Sequence, residues 1–283
     1  MKPKTITKIS LITKAKYLEN LASQLYLLGI NSFEEKENSI DLYLKPEESS
    51  SLINNISKNF KAGNLDIIIE EIKDRNWNEE FQKSIEPINI SNKLIVYPTW
   101  KKEEVKKYKG YLKIQIDPKM AFGTGHNETT QLVLELMLKY LTKRDKFLFD
   151  FGCGTGILAI AGIKLGVEKA VANDIDSDSI DNAVENLKLN KVYNKVKLYQ
   201  NSICDIKEKN FDVICANIIS SVIKDNLKLI HNKLKPKGKL FISGVLREEE
   251  RSLKNSLRKN GFNVVEVIRK SEWIGVYAVK NSN

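Results

Sequence analysis

The stretch from Phe147 to Asp174, FLFDFGCGTGILAIAGIKLGVEKAVAND, restricts what this chain can fold into more than any other part of it. Phe147 to Phe151 is a short apolar run broken by the carboxylate of Asp150. Gly152, Gly154 and Gly156 then fall on alternate positions, and Ile157 to Leu165 resumes at helical spacing. This order predicts a strand, a tight turn and a helix in direct succession. Glycine is needed where backbone turns with unusual φ or lets a ligand approach without a Cβ, and the helix start beyond it offers unpaired N–H groups. Gly162, inside the helix, is expected to pack closely against the sheet. A second buried-strand pattern, Lys169 to Ala172, ends in Asn173-Asp174, about twenty residues beyond the first glycine. There an open α/β sheet sets a carboxylate against a ribose diol, with acceptor sites for both hydroxyls.

The glycine spacing separates ligand classes. A dinucleotide fingerprint requires glycine at Ile157, and a phosphate loop requires G-K-[ST] after the glycines; neither is present. What remains, DFGCGTG from Asp150 to Gly156, resembles motif I of the class I S-adenosylmethionine-dependent methyltransferases. Asp176 and Asp178 directly precede a helix predicted over 179–189, where acids serve as N-cap or dipole partners rather than as ligands.

A chain of 283 residues with 42% hydrophobic composition has the length for a sizeable core in one or two domains. It has no apolar run approaching about eighteen residues, so no membrane span is expected. MKPKTITKIS lacks the apolar region of a signal peptide, which makes the cytoplasm the expected compartment. Cys153, Cys204 and Cys215 form no C-x-x-C pair, so neither a metal site nor a disulfide framework is expected. The net charge of +10, from 46 basic and 36 acidic side chains, is spread along the chain without a long basic tract. It is compatible with a partner near ribosomal RNA.

Residues 1–73 read as a separate small α+β module. Strands are predicted at Thr5 to Ile12, Ser39 to Leu44 and Leu65 to Ile72, the last following a Gly63-Asn64 turn. Helices are predicted from Ala15 to Leu28, with Gly29 as C-cap, and from Pro46 to about Phe60. This is the ferredoxin-like pattern, and with no evident catalytic cluster its expected role is recognition of a partner. Residues 74–110 form a polar connector carrying Trp77 and Trp100, which are expected to pack rather than to touch substrate. Residues 111–283 hold the ligand-binding region. Its helix over 131–141 is preceded by DPKMAFGTGHNETT, a second glycine loop, where Asn127, Thr129 or Thr130 is expected as a cap. FDVICANII ends a strand at Asn217 on the carboxyl edge of the sheet, where the side chain can both donate and accept. Strands at Lys239 to Val245, Asn263 to Ile268 and Trp273 to Val279 complete the sheet, with Pro236 to Gly238 as a turn.

The phrases AFGTGHNETT, DFGCGTGILAIAGIKLG, ANDID and CANII, with NWNEEFQKSIEPI and YPTW upstream, resemble the bacterial methyltransferases that act on ribosomal protein L11. The resemblance implies a Rossmann-like mixed sheet of seven strands, α/β, beside the ferredoxin-like domain. It implies S-adenosylmethionine as cofactor, with Thr130, Gly152, Asp174 and Asn217 in contact with it and Gly154 in the same turn. It implies the N-terminal amine and lysine ε-amines of ribosomal protein L11 as acceptors, oriented by Asn217 without a dedicated base, in a monomer that touches the ribosome transiently. The family commonly has histidine where this chain has Asn127. His126 is read as a hydrogen-bonding fixture and His231 as structural. The N/D-P-P-Y/F tetrad of enzymes that methylate planar nitrogens is absent, since the chain has Asn217, Ile218, Ile219 and Ser220 there, and an aliphatic amine suits the site better. The alternatives are an RNA methyltransferase and a non-catalytic, ribosome-docking protein that binds the cofactor.

Overall fold

The structure is a computed structural model. It describes residues 5–15, 17–18, 21–22, 25, 30, 33–44, 49, 52, 56, 65–73, 85–117 and 123–282. Gly29, Pro46, the Gly63-Asn64 turn, Trp77 and residues 118–122 lie outside the described residues. The chain forms two compact units, Met1–Ser84 and Ile85–Asn283, so residues 85–110 belong to the second unit's fold.

In the first unit, β1 (Thr5–Ile12), β2 (Glu34–Lys36), β3 (Ser39–Leu44) and β4 (Asp66–Lys73) form an antiparallel sheet in the order β2-β3-β1-β4. Alternation along β1 and β3 puts Ile9 opposite Leu42 and Leu11 opposite Ile40. All four are buried with Leu21, Leu25, Leu52 and Ile56, which are helical. Strand order and helical segments together are ferredoxin-like.

The second unit opens with a small sheet of β5 (Ile88–Ile90), β6 (Leu94–Tyr97) and β7 (Leu112–Gln115). The large sheet follows: β8 (Phe147–Phe151), β9 (Lys169–Asp174), β10 (Val196–Gln200), β11 (Phe211–Asn217), β12 (Leu234–Leu246), β13 (Phe262–Lys270) and β14 (Trp273–Lys280). Its order is β10-β9-β8-β11-β12-β14-β13, parallel throughout except for β14, which runs antiparallel to both neighbours. The helices are α1 (Glu128–Tyr140), α2 (Ile157–Lys164), α3 (Ser177–Leu189), α4 (Ser220–Lys233) and α5 (Glu250–Lys259). One face of the sheet packs side chains of α1, α2 and α3, the other those of α4 and α5. Alternation along the strands divides the core: Leu148, Val213 and Cys215 point to the first layer, Phe149, Ile214 and Ala216 to the second. α2 is buried from Ile157 to Ile163, as an all-apolar helix must be. A Cβ on its Gly162 would stand 2.6 Å from Leu148 Cδ1, which is the close packing the sequence predicts.

Pro236 to Gly238 is not a turn between elements. These residues form an excursion within β12: Phe211 pairs with Leu234 and Val213 with Lys239, and Lys237 takes φ +60 at the bulge.

Three asparagines spaced one helical turn apart on α3 join the two sheets. Asn190 Oδ1 accepts from Gln115 N at 3.0 Å, and its Nδ2 donates to Gln115 O at 2.6 Å. Asn186 Oδ1 accepts from Asp117 N at 3.0 Å, and Nδ2 donates to Thr155 O at 3.2 Å. Asn182 Nδ2 donates to Asp117 O at 3.4 Å. All three side chains are buried, and they serve as the missing neighbour strand for the free edge of the segment leaving β7. Asn186→Ala leaves the Asp117 N–H and the Thr155 carbonyl unpaired and is expected to cost about 2–4 kcal/mol. Urea denaturation checks this.

Candidate active site

Strand order reverses between β8 and β11, so the carboxyl ends of β8, β9 and β11 open onto one crevice. A cleft of about 720 Å³ lies there. One wall is the loop into α1, His126 to Thr129. A second carries Phe151, Gly152, Gly154, Asn173, Asp174 and Ile175. The third carries Asn217, Ile218, Ile219 and Val222, with Gly244 and Trp273.

The glycine turn follows β8 as the sequence predicts. Gly152, Gly154 and Gly156 have φ of +71, +50 and +77, values that L side chains rarely adopt. Gly152 N and Cys153 N both donate to Asn173 O, at 3.0 and 2.9 Å. Gly154 N donates to Asp174 Oδ2 at 2.9 Å, and Asp176 N to Asp174 Oδ1 at 3.2 Å. Asp174 thus braces the turn while each of its oxygens keeps a lone pair. Asp176 caps α3: it accepts from the backbone of Asp178 and Ser179 and from Ser179 Oγ, the last at 2.8 Å, and these bonds, the Ser179 hydroxyl's above all, hold its carboxyl below the usual range.

Asn217 ends β11 almost fully buried. Its Nδ2 donates to Thr130 Oγ1 at 3.1 Å, and its Oδ1 has no partner among the described residues. Thr130, fully buried in the first turn of α1, stands behind Asn217 and is not on the cleft wall; Gly152, Gly154, Asp174 and Asn217 are. α1 starts at Glu128 instead of 131, so Thr129 and Thr130 lie inside the helix and cap nothing. Asn127 holds the N-cap position without a side-chain bond, and its carbonyl receives Thr130 N at 3.0 Å. Thr129 Oγ1, Asn173 Oδ1 and Asn217 Oδ1 are buried atoms without partners among the described residues, and all three residues line the cleft.

Sequence reasoning missed the apolar part of the site. Ile175 and Ile219, at 77% and 65% exposure, flank the cleft directly after the strand-end residues Asp174 and before α4. A bulky β-branched residue just past a strand end, where polar residues are usual, was the available signal. Trp100 stands 36% exposed in the turn after β6 and is not among the described lining residues. His126 lines the cleft, its Nδ1 3.5 Å from Thr124 Oγ1, whereas His231 packs edge-on against Phe262.

A seven-stranded sheet of this order, with a glycine turn after the first strand and an acid ending the second, defines a class I S-adenosylmethionine-dependent methyltransferase. The chain matches the family model described as ribosomal protein L11 methyltransferase (PrmA) over residues 5–281, and it belongs to that family. It is 33% identical to the ribosomal protein L11 methyltransferase of Bacillus subtilis (strain 168) over 275 residues, 94% of this chain and 88% of the relative. With that of Alkaliphilus oremlandii (strain OhILAs) it shares 38% identity over 218 residues, 77% of this chain and 68% of the relative. The crystal structure of ribosomal protein L11 methylase from Lactobacillus delbrueckii subsp. bulgaricus matches with a TM-score of 0.65 at 31% identity, covering 70% of this chain and all of that one.

Asp150 is fully buried beneath the turn. Its Oδ2 accepts from Ala159 N at 2.9 Å, its Oδ1 has no partner among the described residues, and burial, with a smaller push from Asp174, raises its carboxyl pKa to about 8. The unfolded chain releases this proton at about pH 4. Between those values the folded state holds the extra proton, so the contribution of Asp150 to stability is fully present at low pH and is lost as pH rises through the folded pKa, by at most about 1.4 kcal/mol per pH unit. Asp150→Asn has nothing to titrate there and is expected to flatten the slope of denaturation midpoint against pH between pH 5 and 8.

Proposed function

We propose that this chain transfers methyl groups from S-adenosylmethionine to amines of ribosomal protein L11, the lysine ε-amines and the N-terminal α-amine. The observation that carries the reading is the composition of the cleft. Three unsatisfied buried polar atoms, a glycine turn braced by Asp174 and an apolar rim converge on one space of a size that holds a nucleoside with an amino-acid tail. A donor set of this kind fits S-adenosylmethionine. Asp174, with a lone pair left on each oxygen, suits the ribose diol; Gly152 and Gly154 allow close approach of backbone; Thr130 acts by holding Asn217 in place.

When bound, the cofactor supplies a methyl carbon made electrophilic by its sulfonium. The residues of the chain need only align and desolvate. Asn217 Oδ1, held by the bond from Nδ2 to Thr130, is free to accept an N–H of the incoming amine and turn its lone pair inward. The amine must be neutral to attack. At pH 7 only on the order of one lysine in 10³ is, by its free pKa, and the dry apolar rim favours the neutral form. The proton leaves to solvent, since no described side chain of the cleft is in place as a strong base. Residues 1–73 serve on this reading to hold the acceptor protein. The enzyme works as a cytoplasmic monomer that meets L11 free or on the ribosome.

Incubation with radiolabelled S-adenosylmethionine, ribosomal proteins and rRNA tests the reading. Label is expected in one small ribosomal protein; label in rRNA, or cofactor binding without transfer, overturns it. Asp174→Ala is expected to weaken cofactor binding at least tenfold by calorimetry, about 1.4 kcal/mol or more. A chain lacking residues 1–73 should keep cofactor binding and lose transfer to the protein.

A further inference from the structure

The chain carries ten more basic than acidic side chains, with 46 lysines and arginines in all, yet none of the described residues lining the cleft is lysine or arginine. Among the described lining residues the acidic side chains are Asp174 and Glu128. Asp174 is committed to the glycine turn through Gly154 N and Asp176 N. Glu128 is held differently. It stands at the first position of α1, and its Oε1 accepts from Ser271 Oγ at 2.5 Å, in the turn between β13 and β14. That turn also presents Trp273 to the cleft, and its Lys270 Nζ donates to Gln131 Oε1 at 2.5 Å. Gln131 Nε2 in turn donates to the carbonyls of Gly125 and His126, at 3.0 and 3.1 Å. Two side-chain bonds from one hairpin therefore tie the start of α1, with Glu128 on the first wall of the cleft, to the turn that precedes Trp273 on the third.

An acid at the first helical position already favours the helix dipole. That role requires neither a place on the cleft wall nor a bond to a distant turn. We infer that Glu128 is the specificity-determining carboxylate for the acceptor: it draws a cationic amine into the cleft beside Trp273 and disfavours phosphate-bearing acceptors. The inference rests on the methyl-transfer reading above and deepens it by naming the charge of the acceptor group. A lysine arrives as an ammonium ion, and a partly buried carboxylate on the cleft wall binds such an ion before it is desolvated and gives up its proton. A phosphate entering the same space meets like charge from Glu128 and Asp174, with no described cation on the walls to offset it.

Glu128→Gln tests this, because the amide keeps an oxygen to accept from Ser271 and alters only the charge. With purified ribosomal protein L11 as acceptor and radiolabelled S-adenosylmethionine in excess, KM for the protein is expected to rise roughly tenfold, the usual scale for a lost charge-assisted contact. The parent's KM should climb with added salt and the variant's should not. Affinity for S-adenosylhomocysteine by calorimetry should stay within about twofold, and Glu128→Asp should recover most of the KM. A KM for Glu128→Gln within about twofold of the parent's at low salt overturns the inference, since a group acting only as helix partner and tether would move thermal stability and leave KM and its salt dependence alone. If the parent itself leaves L11 unlabelled while binding the cofactor, the methyl-transfer reading has failed, which is a different result.

Discussion

One short hydrogen bond joins the two glycine-rich loops on which the site depends. Thr155, fully buried within the motif I turn, donates from Oγ1 to Gly123 O at 2.6 Å, while its carbonyl accepts from Asn186. Gly123 has φ +98, and a Cβ on it would lie 3.1 Å from that same hydroxyl, so the approach is open only to glycine. Asn186 also holds Asp117 N, so Asp117 and Gly123 are tied to two residues, Asn186 of α3 and Thr155 of the turn, that are themselves hydrogen-bonded to each other. In a dry interior such a network is worth much when complete and is costly when any member is missing, because each partner left behind is a buried unpaired dipole. The wall carrying His126 to Thr129 is tied to the glycine turn through these bonds.

The opposite wall is positioned by shape. Ile218, between β11 and α4, sits against two glycines from different strands. A Cβ on Gly152 would collide with its side chain, and a Cβ on Gly244 with its carbonyl oxygen. The pairing of β12 with β14 slips between Ile242 and Val245, and Gly244 takes φ +76 at the slip. The bulge turns β12 away at the level where the chain leaving β11 must pass, and so keeps Asn217 and Ile219 at the mouth of the cleft. The first glycine of motif I, Gly152, is thus sterically coupled through Ile218 to Gly244 in β12.

This explains what could be read from the chain before its structure and what could not. Asp150, the alternating glycines and the acid ending β9 obey local rules, strand period, turn chemistry and strand-end placement, and the order of elements followed from them. Asp176 was recognisable as a cap for the same reason. Ile218, Gly244 and the asparagines of α3 were not, because their roles arise from contacts across the fold. Spaced four apart on a helix, Asn182, Asn186 and Asn190 look like a polar surface stripe; they are buried because a strand edge lies over them. Pro236 to Gly238 has the composition of a turn, and only the pairing of β11 with β12 on both sides of it makes it a bulge. Thr130, expected as a possible cap, lies inside the first turn of α1 and accepts from Asn217 Nδ2, because α1 begins at Glu128, sooner than the apolar period indicates.

The excess of basic side chains and the acidic cleft are not in conflict. In salt at physiological strength, charge beyond about 8 Å is largely screened, so the net charge of the whole chain governs which large surfaces it approaches and has little influence inside a cleft. Within the cleft the few nearest groups decide, and they act through a lower effective dielectric. A basic exterior favours encounter with ribonucleoprotein, whose outer field is negative, while Glu128 and Asp174 set the opposite sign at the point of chemistry. On the proposed reading the two scales do separate work: the surface brings the enzyme to an anionic assembly, and the cleft admits from that assembly only a group carrying positive charge. A single uniform potential could not do both, because a field that attracts the ribosome's phosphates would, carried into the site, repel the ammonium ion that has to enter it.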